Sequence, residues 1–261
     1  MTTTSNAVRT PPVWVRLVAP ITVGVIILVI WIVAVDVMKI APRALPSPIA
    51  ITNEFVLRYG IIVEDMGITA SNAFIGLAAG AIVAIALAAL AATFRPVDGM
   101  LAPLVAAIAV VPIVALTPIL NTMFGASSQF GRQSVAAIAA FVPVFVNVLR
   151  GLRQTRPVHR DVLRSSAATG LQTFRVLTLP TALPYLMSGL RIASSIAVIA
   201  ALVAEYFGGP ADGIGTAIAT YAKSGRASLA FAYVAGGIAI GLVFFLVTSL
   251  LEWLVSRRKP V

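Results

Sequence analysis

The sequence predicts an all-α, multi-pass membrane protein with six transmembrane helices, because of its composition, its apolar runs and the placement of its charges. Hydrophobic residues make up 59% of the 261 residues and charged residues only 11%, whereas an ordinary soluble domain carries about 25% charged residues. A soluble domain of this size cannot enclose so much apolar surface in one core. Lipid must therefore cover much of the chain, and an aggregation-prone soluble protein is the poorer alternative.

Six apolar runs approach or exceed the roughly 20 residues that a helix needs to cross the hydrocarbon core. They extend over Leu17–Val37, Ile68–Phe94, Leu101–Phe124, Ser134–Leu149, Leu186–Phe207 and Phe231–Val255. The first run is longer than the apolar part of a signal peptide and no small-residue cleavage site follows it, so we expect it to be retained. Residues 1–12 are polar and contain two prolines, which predicts a disordered cytoplasmic tail before a single transmembrane domain over residues 13–261.

Three of the runs and one segment between them carry further structural signals. The third run contains Pro103, Pro112 and Pro118, so we expect it to be kinked or broken. The second and fifth runs are rich in alanine and glycine, which allow helices to approach closely in lipid. Between the first two runs, an amphipathic stretch over residues 51–59 predicts a short helix on the outer membrane surface.

The lysines and arginines between the runs indicate the orientation, because cytoplasmic loops carry an excess of them. With both termini in the cytoplasm, thirteen lie inside: Arg9, Arg16, Arg95, Arg150, Arg153, Arg156, Arg160, Arg164, Arg175, Arg191, Arg257, Arg258 and Lys259. Six lie outside: Lys39, Arg43, Arg58, Arg132, Lys223 and Arg226. The bias predicts a plasma-membrane protein with a cytoplasmic N-terminus and C-terminus.

Several classes of site have no support in the sequence. The net charge of +10 is distributed between apolar runs, which indicates topology and not nucleic-acid binding. There are no cysteines, so disulfides and thiol chemistry are excluded, and His159 alone cannot make a zinc site. No Gly-Lys-Ser/Thr loop is present to hold ATP, and no clustered serine, histidine and aspartate predict a catalytic centre.

The longest predicted cytoplasmic segment, residues 150–184, has the strongest functional signal. Helically spaced apolar residues on either side of Ala167–Gly170 predict two short helices with a small-residue joint. Leu171 and Phe174 could anchor such a pair in a groove of a cytoplasmic protein, with arginines at the rim. The alternative is a basic loop that only obeys the positive-inside rule.

Within this segment the sequence resembles importer permeases of the binding-protein-dependent ATP-binding-cassette class. Their signature is E-A-A-x3-G-x9-I-x-L-P, and its Leu-Pro matches Leu179-Pro180. The remaining positions are substituted: Asp161 stands for the Glu, Val162-Leu163 for the two Ala, Ala167 for the Gly and Leu177 for the Ile. An alanine can remain helical where a glycine would bend freely.

The resemblance extends from about residue 45 to the C-terminus and is specific for the nitrate, sulfonate, taurine and pyrimidine-precursor subfamily. The stretch Ala168–Arg175 resembles its Ala-Ser-x-Trp-Gln-x-Phe-Arg motif. Other matching stretches are Leu45-Pro46-Ser47-Pro48, Pro112–Pro118, Phe141-Val142-Pro143, Leu183-Pro184-Tyr185, Gly189–Ala193 and Ala204–Gly209. The family does not indicate the solute, which could be a small anion or a pyrimidine-type precursor.

The resemblance implies a type I importer-permease fold with cytoplasmic coupling helices. It also implies a second permease, the same or homologous, two cytoplasmic ATPase subunits that hold ATP and Mg²⁺, and an extracytoplasmic solute-binding protein. This chain itself would bind no cofactor and no metal and would not be an enzyme. The residues that would contact the ATPase are Asp161, Ser165, Ala167, Ala168, Thr169, Leu171, Gln172 and Phe174.

A few polar residues lie in or beside apolar runs. Glu205, near the outer end of the fifth run, could pair with Arg226 or Lys223, could meet the binding protein, or could be a headgroup-level residue with access to water. Thr117 and Asn121 flank a proline that frees backbone carbonyls, so they are candidates for the transport pathway. Like Asn72 and Asn147, they could instead join helices by hydrogen bonds.

Two other functional classes stay open on the sequence alone. A secondary transporter or a channel for a small solute would also span the membrane several times, although we find neither internal repeats nor central ionisable residues. A membrane-embedded enzyme would need titratable groups clustered at one depth, and Asp36, Glu205 and Glu252 do not form such a cluster.

Overall fold

The computed structural model describes residues 13–125 and 127–257, and every regular element in these residues is helical. The predicted tail, residues 1–12, lies outside the described residues. The helices are α1 (Val13–Val37), α2 (Pro48–Leu57), α3 (Tyr59–Thr93), α4 (Arg95–Val110), α5 (Ile113–Phe124), α6 (Phe130–Arg153), α7 (Pro157–Ser165), α8 (Gly170–Thr173), α9 (Leu179–Tyr206), α10 (Gly213–Lys223) and α11 (Ala227–Arg257). A π-helical turn, Phe174–Thr178, joins α8 to α9.

The helices confirm the all-α, multi-pass prediction. Five of those described are long and apolar enough to cross a membrane: α1, α3, α6, α9 together with α8, and α11. The pair α4 and α5, whose axes meet at 103°, has the form of a broken sixth span or of a re-entrant loop. This is the span for which the prolines predicted a break.

The break between α4 and α5 has a local cause. Val111 is extended, with φ −62° and ψ 125°, because the ring of a following proline disfavours the helical conformation. Pro112 also lacks the N–H that would continue the helix. The chain therefore turns sharply between Val110 and Ile113 instead of running straight across the bundle.

The centre of the bundle consists of α3, α6 and α9, with α6 between the other two. Small side chains set the spacing of these helices, as the composition predicted. A Cβ atom on Gly80 of α3 would overlap the backbone carbonyl of Ala137 on α6, and one on Gly76 would overlap the side chain of Ala136. Glycine is therefore required at these positions for α3 and α6 to pack at their observed distance.

The first span lies apart from this centre. None of the side chains from Val18 to Val37 is buried within the chain. Trp31 packs against Phe231 of α11, but most of the helix surface is exposed, and an apolar helix of this kind needs lipid or another protein around it.

Several predicted spans are longer than their apolar runs. The second begins at Tyr59 instead of Ile68, and the fifth begins at Leu179 instead of Leu186. The fourth span, predicted over Ser134–Leu149, begins at Phe130 and ends at Arg153, because arginines and glutamines at its ends are helical despite their polarity. The sequence analysis did not predict α10, which packs against α9 and α11. The short helix predicted after the first span is α2, capped by the Ser47 hydroxyl.

Candidate functional site

The segment predicted to meet a partner folds into two short helices joined by a turn, and we call residues 156–178 the elbow. The first helix, α7, has Pro157 at its first turn, where a missing N–H costs nothing. It ends at Ser165, whose hydroxyl donates to the carbonyl of Asp161 at 2.9 Å. Both predicted site residues in α7, Asp161 and Ser165, are exposed.

The turn after α7 is a Schellman motif centred on Ala167. The N–H of Ala168 donates to the carbonyl of Leu163 at 3.0 Å, and the N–H of Ala167 donates to Arg164 at 3.0 Å. This motif requires a left-handed residue, which is usually glycine, and Ala167 adopts it with φ 55°. The joint is therefore a defined turn although alanine replaces the expected glycine.

A capping box starts the second helix two residues later. The Thr169 hydroxyl accepts from the N–H of Gln172 at 3.3 Å, and the Gln172 side chain accepts from the N–H of Thr169 at 2.7 Å. This reciprocal pair satisfies two backbone donors that a helix start leaves without intrahelical partners. The hydrogen bonds on both sides of Ala168 fix the direction in which the chain leaves the turn.

After the turn, the chain runs as one helical segment. The short helix α8 continues through the π-helical turn Phe174–Thr178 into α9 without interruption, so that the segment Gly170–Tyr206 contains 37 residues. A π-helical turn shifts the helical register by about one residue, and such turns are frequent at functional sites. It sets which side chains of the elbow point away from the bundle.

The elbow exposes apolar side chains. Leu171 is 61% exposed and Phe174 is 43% exposed, although both follow a well-capped turn. Val158, Val162 and Val176 are exposed as well. Apolar side chains grouped on one surface mark a contact with another protein or with lipid.

Arg153 connects three helices at the end of the bundle beside the elbow. Arg153, at the end of α6, forms an ion pair with Asp98 of α4 at 2.8 Å and donates to the carbonyl of Ala91 in α3 at 3.3 Å. These contacts fix the point at which the chain leaves α6 and enters the elbow.

Glu205 lies at the opposite end of α9. The structure corrects two of the three expectations for it, while a contact with the binding protein stays a prediction. Its side chain is 1% exposed, so it is neither a headgroup-level residue nor paired with Arg226 or Lys223. Its carboxylate accepts hydrogen bonds from the Thr69 hydroxyl at 2.8 Å and from the N–H of Gly215 at 2.9 Å. A buried carboxylate needs such donors.

Asn72 joins the same cluster, as expected for a polar residue between helices. Its amide donates to Glu205 at 3.4 Å and to the side chain of Gln129 at 3.0 Å. The other predicted helix-joining residue, Asn147, instead donates to the carbonyl of Pro143 in its own helix at 2.8 Å. The prediction for Asn147 was wrong because a backbone carbonyl one turn earlier in the same helix lies within reach of its amide.

Arg132 is the central cation of this buried region, which we call the polar cluster and which consists of Thr69, Asn72, Gln129, Arg132, Glu205 and Asp212. The residue is 0% exposed, although the sequence analysis counted it as an outer loop residue. Its guanidinium forms an ion pair with Asp212 at 2.6 Å and donates to the Thr216 hydroxyl at 3.0 Å. It also donates to the carbonyls of Gly208 and Pro210.

The sequence analysis missed Arg132, Asp212, Thr69 and Gln129 as members of one site. The signal available was an arginine two residues before the predicted start of an apolar run, and an aspartate in the loop that follows an intramembrane glutamate. Such charges are expensive near the membrane interior unless they are paired. The sequence does not specify which helices bring them together.

The predicted pathway residues, Thr117 and Asn121, are buried within the chain at 0% and 7% exposure. Neither side chain has a hydrogen-bond partner among the described residues. The Asn121 amide lies against Gly131 of α6 and close to Gly208. This placement is that of packing residues, and the pathway role stays a prediction without support from the structure.

The described residues contain no group of three or more histidine, cysteine, aspartate or glutamate side chains that could hold a metal ion. A cavity of about 340 Å³ between α3, α4 and α6 is apolar, and a larger one of about 510 Å³ between α4 and α6 is bordered by Asp98, Arg150 and Arg153. The candidate functional features are an exposed apolar surface at one end of α9 and a buried polar cluster at the other.

Comparison with known proteins identifies the family of the chain. Residues 76–260 match the family described as the binding-protein-dependent transport system inner membrane component. The chain is similar to the formylaminopyrimidine transport permease protein ThiX of Halalkalibacterium halodurans, with 32% identity over 183 residues that cover 70% of this chain and 72% of that protein. It is also similar to the riboflavin transport system permease protein RibX of Chloroflexus aurantiacus, with 29% identity over 246 residues, 94% of this chain and 91% of that protein.

The fold has a counterpart among solved structures. It resembles a chain in the crystal structure of an amino acid ABC transporter with histidines, with a TM-score of 0.62 and 19% identity, over 78% of this chain and 97% of that one. The resemblance noted from the elbow sequence is confirmed, and it decides against a secondary transporter, a channel or a membrane-embedded enzyme. The chain belongs to the family of inner membrane components of binding-protein-dependent transport systems, the permease subunits of ATP-binding-cassette transporters.

Proposed function

We propose that this permease pairs with a second permease, identical or homologous, to import a small polar solute into the cytoplasm. Two cytoplasmic ATPase subunits bind and hydrolyse ATP with Mg²⁺, and an extracytoplasmic binding protein delivers the solute. The chain itself carries out no chemical step and holds no cofactor. Both termini lie in the cytoplasm, so that the elbow faces the ATPase.

The elbow is the surface that contacts the ATPase. The observation that carries this assignment is the combination of a rigid joint with exposed apolar side chains. The Schellman motif at Ala167 and the capping box at Thr169 hold the joint, while Leu171 and Phe174 remain uncovered. A surface that transmits movement between subunits must bind its partner tightly and must be connected to the bundle through a rigid turn.

Purification of the permease with its cognate ATPase tests the assignment. Leu171→Asp and Phe174→Asp place a charge where an apolar contact is expected, and we expect them to release the ATPase and abolish ATP-dependent uptake. Leu57→Asp makes the same change at an exposed residue of α2, 77% exposed, and is the matched control. Normal retention of the ATPase by both elbow variants would exclude the docking role.

Labelling of single cysteines tests the orientation, because the natural chain has none. We expect Ser224→Cys, just after α10, to react with a membrane-impermeant maleimide on intact cells. Ser166→Cys in the elbow is expected to react only after the cells are opened. The reverse pattern would place the elbow outside and would contradict the whole assignment.

The solute belongs to a small polar class. Relatives named for formylaminopyrimidine and riboflavin favour a nitrogen heterocycle, while the wider resemblance includes sulfonate-like and nitrate-like anions. Reconstitution with the ATPase and the binding protein, followed by ATP-dependent uptake of labelled hydroxymethylpyrimidine or taurine, separates the two classes. Uptake of neither compound would remove both from consideration.

A further inference from the structure

A cavity of about 320 Å³ lies inside the bend of the elbow, between α7 and the segment that follows the turn. Two arginines of α7, Arg160 and Arg164, form one wall. They are one helical turn apart, so their side chains project from the same face of α7. The remaining lining residues are Ala168, Gly170, Thr173, Phe174 and Thr178.

Neither arginine has an acidic partner within the described part of the chain. The ion pairs found there are Glu54–Arg58, Asp98–Arg153, Arg132–Asp212 and Arg191–Glu252. Asp161 is next to Arg160 in sequence but projects from a different face of α7 and forms no ion pair there. The cavity therefore presents two guanidinium groups whose charges are not balanced inside this chain.

The surroundings add to the positive charge. Residues 150–178 contain six arginines, at positions 150, 153, 156, 160, 164 and 175, against the single acidic residue Asp161. Of these, Arg153 is already paired with Asp98. A partner that closes the cavity must place negative charge against Arg160 and Arg164 or leave them buried without compensation, which is costly.

We propose that the ATPase inserts a carboxylate side chain into this cavity, where Arg160 and Arg164 hold it. The inference rests on the docking role of the elbow, because Phe174 both lines the cavity and belongs to the exposed apolar surface. A partner that covers Leu171 and Phe174 therefore also closes the cavity. Two guanidinium groups offer the planar pairs of N–H donors that carboxylates accept.

The carboxylate has a specific task at this position. The apolar contacts of Leu171 and Phe174 are not directional, whereas a charge held between two arginines fixes one register of the partner. Once the partner excludes water, the contact strengthens because the local dielectric falls. The result is a joint that cannot slide when the ATPase moves.

The test measures binding of the purified cognate ATPase to the full-length permease in detergent. The variant Arg160→Gln/Arg164→Gln removes both charges and keeps long polar side chains. We expect a loss of affinity of about tenfold or more, the range for a hydrogen bond to a charged group. Arg156→Gln and Arg175→Gln remove elbow arginines that do not line the cavity, and we expect each to change the affinity less than about threefold.

A charge exchange identifies the partner residue. Arg164→Glu is combined with Asp→Lys or Glu→Lys changes on the ATPase surface, one at a time. We expect one of them to restore binding that Arg164→Glu abolishes. Failure of every such pair to restore binding would overturn the proposal, provided that Arg164→Glu elutes as a monodisperse permease.

The outcomes separate this inference from the docking role itself. If the double glutamine variant binds normally while Leu171→Asp releases the ATPase, the elbow docks but the cavity takes no carboxylate. If neither variant loses the ATPase, the docking role fails as well. A variant that binds normally in detergent, yet loses uptake only in phosphatidylglycerol liposomes and not in phosphatidylcholine liposomes, would assign the cavity to lipid headgroups instead.

Discussion

Nη1 of Arg132 in α6 lies 2.6 Å from Oδ1 of Asp212 in the turn after α9. This ion pair connects the segment between α9 and α10 to the start of α6. The arginine is fully buried, whereas the Asp212 side chain is 35% exposed. The same guanidinium donates to two carbonyls of that segment. The Arg132 side chain therefore supplies hydrogen-bond donors to backbone carbonyls that are not paired within a helix.

Loss of Arg132 is expected to destabilise the fold. Arg132→Met removes the ion pair and the donor to the carbonyls of Gly208 and Pro210, while Gln129 still donates to both carboxylate oxygens of Asp212. Because Asp212 is 35% exposed, we expect a loss of about 1–3 kcal/mol, the cost of leaving buried acceptors unpaired, which is less than the cost of breaking a fully buried pair. Thermal unfolding in detergent measures the effect. Arg226→Met at an exposed position is the control, and an equal fall in Tm for both variants would contradict the role assigned to Arg132.

Glu205 is expected to tolerate little change. A glutamine in its place offers one acceptor oxygen and turns an NH₂ group toward donors such as Thr69 and the N–H of Gly215, and the mismatch costs about 1–3 kcal/mol. We expect a lower Tm for Glu205→Gln and no change for Glu64→Gln, which is exposed. Unchanged stability and uptake in Glu205→Gln would show that the carboxylate is dispensable.

We expect the turn of the elbow to become more stable when glycine replaces Ala167. The left-handed conformation costs an alanine about 1–2 kcal/mol, and glycine avoids most of that cost but loses more chain entropy on folding. A net gain of about 0.5–1 kcal/mol is expected for Ala167→Gly. Slower hydrogen exchange at the N–H of Ala168 would report it, whereas Ala167→Val should make that exchange faster.

The packing of α3 on α6 gives a matched pair of variants within one helix. Gly80→Ala forces a methyl group against the Ala137 carbonyl, and overpacking of this kind costs about 1–3 kcal/mol. Gly67→Ala meets nothing within 4 Å and is expected to be neutral or to stabilise by up to about 1 kcal/mol. The difference in Tm between the two variants is the measurement, and its absence would contradict the close approach.

The sequence was sufficient for most of the helices, because long apolar runs and prolines report directly on membrane spans and their breaks. It was insufficient for α10, which is short, flanked by glycines and carries charges at its end. Arg132 was misplaced for a related reason. Counting basic residues between apolar runs assigns each of them to a loop, although a helix can carry an arginine inward when acceptors from other elements surround it.

In the elbow, the sequence predicted the helices but not the conformation of the joint. Its two helices and its joint followed from the spacing of apolar and small residues. The left-handed Ala167 could not be predicted, since alanine is a strong helix former. The turn is imposed by hydrogen bonds to the carbonyls of Leu163 and Arg164 on one side and by the Thr169 cap on the other. The cavity at Arg160 and Arg164 depends on how the two helices are angled, which no local pattern states.

The unbroken segment from Gly170 to Tyr206 makes the two ends of the molecule mechanically one body. At 37 residues, it is about 55 Å long, with the elbow at one tip and Glu205 at the other. A rocking of about 10° around its midpoint would carry the tips about 5 Å in opposite directions. A displacement of the elbow at one face of the membrane would thus move the Glu205 end of the segment directly. No rearrangement of side chains between the two ends would be needed.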